Sequence, residues 1–252
     1  MKIRVVIPNT SQAFLESQRP ERQLVAGGRF DLEVICLDQG PESLESAVDE
    51  AVVGPAILAE GIRAEAQGFD AMVIDCAMDI GLESIRERVS IPVTSAAQAS
   101  YLVALGLGDR FSVITMIEPA TRLIHNLLRR YGLTQRVASV RFADVPVLGL
   151  MDTDAAAKAI AKASRIALDS DSADVIVLGC TGMAPVARRL QRELQVPVID
   201  PAAAALLMAE SYVRMGLTHS RRSYHRPPDK KLNGSMYQAA GLEGLGFYGP
   251  RQ

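Results

Sequence analysis

The chain alternates short apolar runs with longer segments of mixed polarity, an order that predicts an α/β fold. The first apolar runs cover residues 3–7, 32–37 and 71–75. They lack the apolar–polar alternation of a half-buried strand and are typical of strands covered on both faces, as in parallel sheets. The intervening segments carry helix capping signals, with Gly or Pro near their ends. This pattern predicts parallel strands joined by helices through right-handed crossovers.

The pattern then repeats. Further predicted strands cover residues 111–115, 136–142, 175–180 and 196–199. Asp70 and Cys76 recur as Asp174 and Cys180, each 104 positions later. A duplicated unit accounts for this spacing and predicts two pseudo-symmetric lobes, each a four-stranded parallel sheet flanked by helices. We expect the first lobe to comprise residues 1–97 plus 214–252 and the second 98–213, with the active site in the cleft between them.

Several local expectations concern prolines and loops. Pro20 is expected to break or restart the first helix, and Pro55 to start a helix that runs to about Gln67. The polar, turn-rich segment 38–46 has the character of a functional loop. Residues 218–252 are expected to form an irregular tail that packs on the surface or at a subunit contact.

Composition narrows the class of protein. The 252 residues are 48% hydrophobic and 22% charged, as in a globular protein, and the net charge is −2. This charge provides no excess of basic residues to bind nucleic acid or an anionic membrane, and Trp is absent. We therefore expect neither nucleic acid nor a membrane as a partner. No apolar run reaches the ~20 residues of a membrane span, and no signal-peptide pattern opens the chain. We therefore expect a cytoplasmic homo-oligomer that acts on a small molecule.

The cysteines are the candidates for chemistry. Cys36, Cys76 and Cys180 have the spacing of neither a disulfide framework nor a zinc site. Cys76 and Cys180 end equivalent strands of the repeat, where open α/β sheets place their ligands. A thiol can act as base or acid near neutrality, and a helix N-terminus can lower its pKa. Two facing thiols therefore predict a two-base site, whereas Cys36 lacks this support and is interpreted as core. Asp75 should point away from Cys76, because successive strand residues face opposite sides.

Four segments carry a family resemblance. They are residues 8–11 (Pro-Asn-Thr-Ser), residues 40–46, residues 68–76, and Gly179-Cys180-Thr181-Gly182-Met183. With these the chain resembles the aspartate/glutamate/hydantoin racemase superfamily, and within it the hydantoin and allantoin racemase branch. It departs from that branch at residues 77–81, Ala-Met-Asp-Ile-Gly instead of Phe-Gly-Asp-Pro-Gly, and at residues 94–96, Thr-Ser-Ala instead of Gly-Glu-Ala.

The resemblance implies a cofactor-independent, metal-free racemase in which Cys76 and Cys180 invert a carbon next to a carbonyl. A 5-substituted hydantoin or allantoin is the implied substrate, because Gly182 stands where amino-acid racemases of the superfamily tend to carry Glu or His. Three alternatives stay open. They are an amino-acid racemase of the aspartate/glutamate type, a related decarboxylase or isomerase, and a non-enzymatic two-lobed protein that binds a small molecule.

An enolate intermediate needs hydrogen-bond donors around its oxygen. The candidate donors are backbone N–H groups beside the cysteines and polar side chains at other strand ends. The predicted substrate-binding residues are Asn9, Thr10, Ala77, Met78, Thr115, Thr181 and Gly182. The three histidines have no metal-ligand spacing among them, and solvated or capping roles are expected for them.

Overall fold

The apolar runs form two parallel sheets of four strands each, in a computed structural model that describes residues 1–228. The strand orders are β2-β1-β3-β4 and β6-β5-β7-β8, so the second sheet repeats the first. The strands are β1 (Lys2–Ile7), β2 (Asp31–Cys36), β3 (Ala71–Ile74), β4 (Val93–Ser95), β5 (Phe111–Thr115), β6 (Val137–Phe142), β7 (Val175–Leu178) and β8 (Val198–Ile199). The α/β fold class and the two four-stranded parallel sheets are confirmed.

Eight α-helices lie in the described part of the chain. They are α1 (Gln12–Ala26), α2 (Ala47–Ala66), α3 (Leu82–Arg88), α4 (Ala96–Leu105), α5 (Glu118–Arg130), α6 (Thr153–Asp171), α7 (Ala184–Leu194) and α8 (Pro201–Arg214). Short 3₁₀ helices cover Val147–Met151 and Thr181–Met183. None of the described helices is long and apolar enough to cross a membrane.

The repeated aspartates hold the third strand of each sheet to the first. The Asp70 carboxylate accepts the backbone N–H of Lys2 at 2.7 Å, where β1 begins. The Asp174 carboxylate accepts the backbone N–H groups of Asp109 and Arg110 at 3.0 and 2.8 Å, just before β5. Ile74 then pairs with Val6, and Leu178 with Ile114, at equivalent places in the two sheets. The same register therefore brings both cysteines to the carboxyl ends of their sheets.

The expectations for two prolines are wrong. Pro20 lies inside a continuous α1, whose Phe14, Leu15 and Ala26 are buried in the core. Packing of this apolar face compensates the cost of an internal proline. Pro55 lies inside α2, which begins eight residues earlier because Ser46 and Asp49 form a capping box. The polar loop therefore ends at Ser46.

The linker helix α4 was not predicted, and it joins the lobes. It begins directly after β4 and contacts β7 and β8 of the second sheet as well as α8. Helix α8 returns to the first sheet, where it packs against β1, β3 and β4. The Thr94 hydroxyl donates to the Ala205 carbonyl at 2.9 Å across this contact. The range 98–213 assigned to the second lobe stays a prediction, and its last helix lies on the first sheet.

The described start of the tail packs on the first lobe. His219 Nε2 accepts the backbone N–H of Val93 at 2.7 Å, and the Tyr224 hydroxyl accepts from Arg86 at 3.1 Å. Burial lowers the pKa of His219 to about 4, so its imidazole is neutral and free to accept this bond at pH 7. Residues 229–252 of the predicted tail lie outside the described residues.

Candidate active site

Cys76 and Cys180 line the same cavity between the two lobes. Each lies two residues beyond the strand that carries it, β3 or β7, and each side chain is half-buried. The cavity has a volume of about 40 Å³. Four of the predicted binding residues also line it, namely Ala77, Met78, Thr115 and Thr181.

Close packing at Gly179 shapes the wall beside Cys180. A Cβ atom at Gly179 would lie 3.0 Å from both the Ile114 carbonyl oxygen and the Thr115 Cα. Real Cβ atoms are rarely that close to backbone, so a glycine lets the ends of β5 and β7 approach each other. Thr115 is thereby held on the cavity wall next to Cys180.

Burial raises the pKa of both thiols. It raises the pKa of Cys180 to about 12, and the Gly182 N–H, 3.4 Å from Sγ, partly offsets this effect. It raises the pKa of Cys76 well above its ordinary value, against a smaller opposing effect of the Met78 backbone. The sequence suggested helix N-termini that lower both pKa values. Instead a turn of residues 77–81 precedes α3, and three 3₁₀ residues separate Cys180 from α7.

Three predicted binding residues lie outside the cavity wall. The Asn9 side chain accepts the Ser11 N–H at 3.2 Å, and the Thr10 hydroxyl donates to the Gly40 carbonyl at 3.4 Å. A Cβ atom at Gly182 would lie 2.9 Å from Phe14 and from Leu150, so Gly182 permits packing between α1 and the 3₁₀ helix Val147–Met151. A direct role of these three residues in substrate binding stays a prediction.

The sequence interpretation missed half of the cavity wall. The missed lining residues are Leu44, Glu45, Met116, Ile117, Ala120 and Gly179. Glu45 crosses the cleft, since its carboxylate accepts the backbone N–H of Val147 at 3.0 Å. Its signal in the sequence was its place in the polar loop 38–46, within which residues 40–46 carry part of the family resemblance.

Asp75 points away from Cys76, in agreement with strand alternation. Its carboxylate binds the buried Arg22 guanidinium through two hydrogen bonds of 2.8 and 3.0 Å. Cys36 is buried at the end of β2 and accepts a hydrogen bond from Gln12 at 3.1 Å, away from the cavity. Among residues 1–228, no group of three or more His, Cys, Asp or Glu side chains could hold a metal ion.

Known proteins match the chain over most of its length. Residues 3–209 match the family model described as Asp/Glu/Hydantoin racemase. A hydantoin racemase from Paenarthrobacter aurescens is 36% identical over 92% of this chain and 99% of its own. One from Pseudomonas sp. (strain NS671) is 35% identical over 92% and 93% of the two chains. The solved allantoin racemase from Klebsiella pneumoniae has a TM-score of 0.90, 36% identity and coverage of 95% and 98%.

The duplicated α/β fold and these relatives define an isomerase of the racemase class. The chain belongs to the Asp/Glu/hydantoin racemase family.

Proposed function

We propose that the chain is a cofactor-independent racemase that inverts C5 of a 5-substituted hydantoin or of allantoin. One observation carries the proposal: thiols from equivalent positions of the two lobes, Cys76 and Cys180, line a single cavity. Relatives named hydantoin racemase and allantoin racemase support this choice of substrate.

In the proposed mechanism, one cysteine thiolate takes the C5 proton and leaves an enolate. The other thiol then delivers its proton to the opposite face of C5 and becomes the thiolate. The protons balance, and the two cysteines exchange roles when the other enantiomer is the substrate. Backbone N–H groups of Ala77 and Thr181 are the candidate donors to the enolate oxygen. The Met78 N–H is already directed at Cys76, and the Gly182 N–H at Cys180 Sγ, at 3.4 Å.

The charge of the cavity wall favours a neutral ring over an amino acid. Among the described lining residues Glu45 is the charged side chain, and no Lys or Arg lies there. A substrate carboxylate would lose water without gaining a counter-ion, and it would meet a like charge. A hydantoin avoids this penalty, and its ring N–H groups can donate to carboxylate or carbonyl oxygens. An aspartate/glutamate-type racemase is therefore the second candidate.

The small volume of the cavity implies that the site must open. Small-molecule sites commonly measure about 300–1,000 Å³, and this cavity of about 40 Å³ leaves room for only a few waters. Leu44 and Glu45 of loop 38–46 form part of the wall, and displacement of this loop would admit a substrate. The Glu45–Val147 hydrogen bond is one contact that opening would break.

Proton exchange tests the proposal directly. Pure enantiomers of hydantoins, allantoin, aspartate and glutamate are incubated with the protein in D₂O and followed by NMR and chiral chromatography. We expect C5–H exchange with inversion for at least one hydantoin or for allantoin. Faster turnover of aspartate or glutamate would favour the amino-acid racemase. Tight binding by calorimetry without any exchange would instead favour a binding protein.

A chelation experiment accompanies the exchange assay. We expect racemisation to persist after exhaustive dialysis against EDTA, because thiol acid–base chemistry needs no metal. Loss of activity that added metal restores would contradict this expectation. Cytoplasmic location and homo-oligomeric assembly also remain predictions.

A further inference from the structure

A buried ion pair lies behind the two cysteine loops. Arg22 projects from α1 and pairs with Asp75 at the end of β3, and the two side chains are 2% and 0% exposed. The guanidinium binds the carboxylate with both Nε and Nη2, and its Nη1 donates to Gln18 at 3.0 Å. All polar atoms of this pair have partners among the described residues.

The same pair joins the lobes. Arg22 Nη2 also donates to the backbone carbonyl of Thr181 at 3.1 Å. In return, the Thr181 hydroxyl donates to the backbone carbonyl of Asp75 at 3.2 Å. Asp75 directly precedes Cys76, and Thr181 directly follows Cys180. Both of these bonds therefore cross between the lobes one residue away from a candidate catalytic thiol.

We propose that Arg22 is a positioning residue that fixes the separation between the Cys76 and Cys180 thiols. This inference rests on the proposed two-thiol function, in which the thiols must hold one carbon between them. Reacting groups displaced by only 1 Å can lose about a hundredfold in rate. Arg22 makes a rigid bidentate contact to Asp75, the residue beside Cys76, and also binds Thr181, the residue beside Cys180. One guanidinium that holds both neighbours is suited to fixing the distance between the two thiols.

Stability alone gives a weaker account of the pair. Removal of ions from water costs several kcal/mol each, and well-packed apolar residues often replace a buried pair without loss of stability. Removal of one partner, by contrast, leaves an unpaired buried charge. A test must therefore replace both partners together, so that no buried charge is left unpaired, the net charge near Cys180 stays the same, and the Arg22–Thr181 contact between the lobes is lost.

The test compares Arg22→Met/Asp75→Leu with a matched control, Arg141→Met/Asp171→Leu. The control also removes a bidentate Arg–Asp pair, but that pair joins β6 to α6 within one lobe. In D₂O, the thiol that removed the C5 proton can return deuterium to the same face, and this reaction is exchange with retention. Alternatively, the opposite thiol delivers deuterium to the other face, and this reaction is inversion. The measured quantity is the ratio of inversion to exchange with retention for each pure enantiomer.

We expect this ratio to fall at least about tenfold in Arg22→Met/Asp75→Leu, because a widened gap impairs delivery by the opposite thiol. The control should keep the wild-type ratio. A variant that merely has fewer folded molecules would lose both reactions equally and leave the ratio unchanged. An unchanged ratio in a variant that keeps its melting temperature would overturn the proposal.

Crystal structures of wild type and variant provide a readout that needs no turnover. We expect the Sγ–Sγ distance between Cys76 and Cys180 to change by about 1 Å in Arg22→Met/Asp75→Leu and to stay constant in the control. If no tested carbon acid is turned over by the wild type, the proposed function fails, while a changed distance still supports the positioning role. An unchanged distance would overturn that role whatever the activity.

Discussion

The two cysteine loops occupy equivalent places in the repeat, yet their surroundings differ. After Cys180 the chain enters a 3₁₀ helix within one residue, and the Gly182 N–H points back at the thiol. After Cys76 the chain makes a longer turn through Asp79, which has a left-handed φ of 52°. The Asp79 carboxylate accepts the first N–H groups of α4 at 3.0 and 2.9 Å and the Tyr131 hydroxyl at 2.6 Å.

The charges around the two thiols differ as well. Burial is the main reason that both pKa values are raised. The Arg22 guanidinium opposes this effect at Cys180, where Asp75 and Glu45 reinforce it. At Cys76 the neighbours that reinforce the effect of burial are Cys180, Asp79 and Asp75. Duplication therefore explains where the thiols are, and the charged groups around them, which differ between the lobes, change how readily each becomes a thiolate.

Removal of either thiol should have the largest effect. We expect Cys76→Ser and Cys180→Ser each to lose inversion by about a thousandfold or more, because inversion needs a group on each face. Each variant should keep slow deuterium uptake with retention on one enantiomer only, and the two variants should select opposite enantiomers. NMR exchange in D₂O on both pure enantiomers measures this.

Cys36→Ser is the control for the thiol variants, since Cys36 is buried away from the cavity. It should racemise at nearly the wild-type rate, with a small change in stability. A Cys76 or Cys180 variant that still racemises at that rate would exclude the two-base mechanism. If both variants exchange the same enantiomer, the thiols do not serve opposite faces.

The pH profile should show the next largest effect. Burial raises both thiol pKa values, so the thiolate is the minor form of each at neutral pH. Below the pKa, its fraction grows about tenfold per pH unit, and kcat/KM should therefore rise about a hundredfold from pH 7 to 9. Alkylation by iodoacetamide should accelerate in parallel. A plateau that begins below pH 8 in both measurements would show that the thiol pKa values are lowered instead.

The sequence predicted the sheets well because the information for them is local. Apolar runs mark the strands, and the recurrence of Asp70 and Cys76 as Asp174 and Cys180 marks the duplication. The helix α4 was missed because its N-terminal N–H groups are bound by Asp79, which lies 17 residues before Ala96 in the chain. Its cap is a tertiary contact, and local capping rules cannot detect it.

Half of the cavity wall was missed for the same reason. Glu45 contacts Val147 and Arg22 contacts Thr181 across more than 100 residues of sequence. No periodicity or short motif pairs such positions. Gly182 lies in a motif that predicted contact with substrate, and that role stays a prediction. The sequence did not reveal that the side chains of Phe14 and Leu150 pack against it.

Gly182→Ala tests the packing around Gly182 through stability. The added Cβ would lie 2.9 Å from Phe14 and from Leu150, closer than side chains normally approach. Overpacking of this kind costs about 1–3 kcal/mol, and urea unfolding should show it as a lower free energy of unfolding. Gly54→Ala is the matched control in α2, because no atom lies within 4 Å of its added Cβ. Equal stabilities of Gly182→Ala and wild type would show that the Cys180 loop is loosely packed.

Glu45→Gln should give the smallest effect, and one that acts on a single thiol. The glutamine oxygen can still accept the Val147 N–H, so the contact across the cleft is kept while the charge is removed. Glu45 raises the pKa of Cys180 and is absent from the main influences on Cys76. Alkylation of Cys180 by iodoacetamide should therefore move to lower pH in Glu45→Gln, with little change at Cys76, and mass spectrometry of the alkylated peptides measures both thiols. Glu45→Ala serves as the variant that loses both charge and contact. An equal shift at both thiols would mean that the carboxylate acts on the whole cavity, and Glu45 would then not account for the difference between the two thiols.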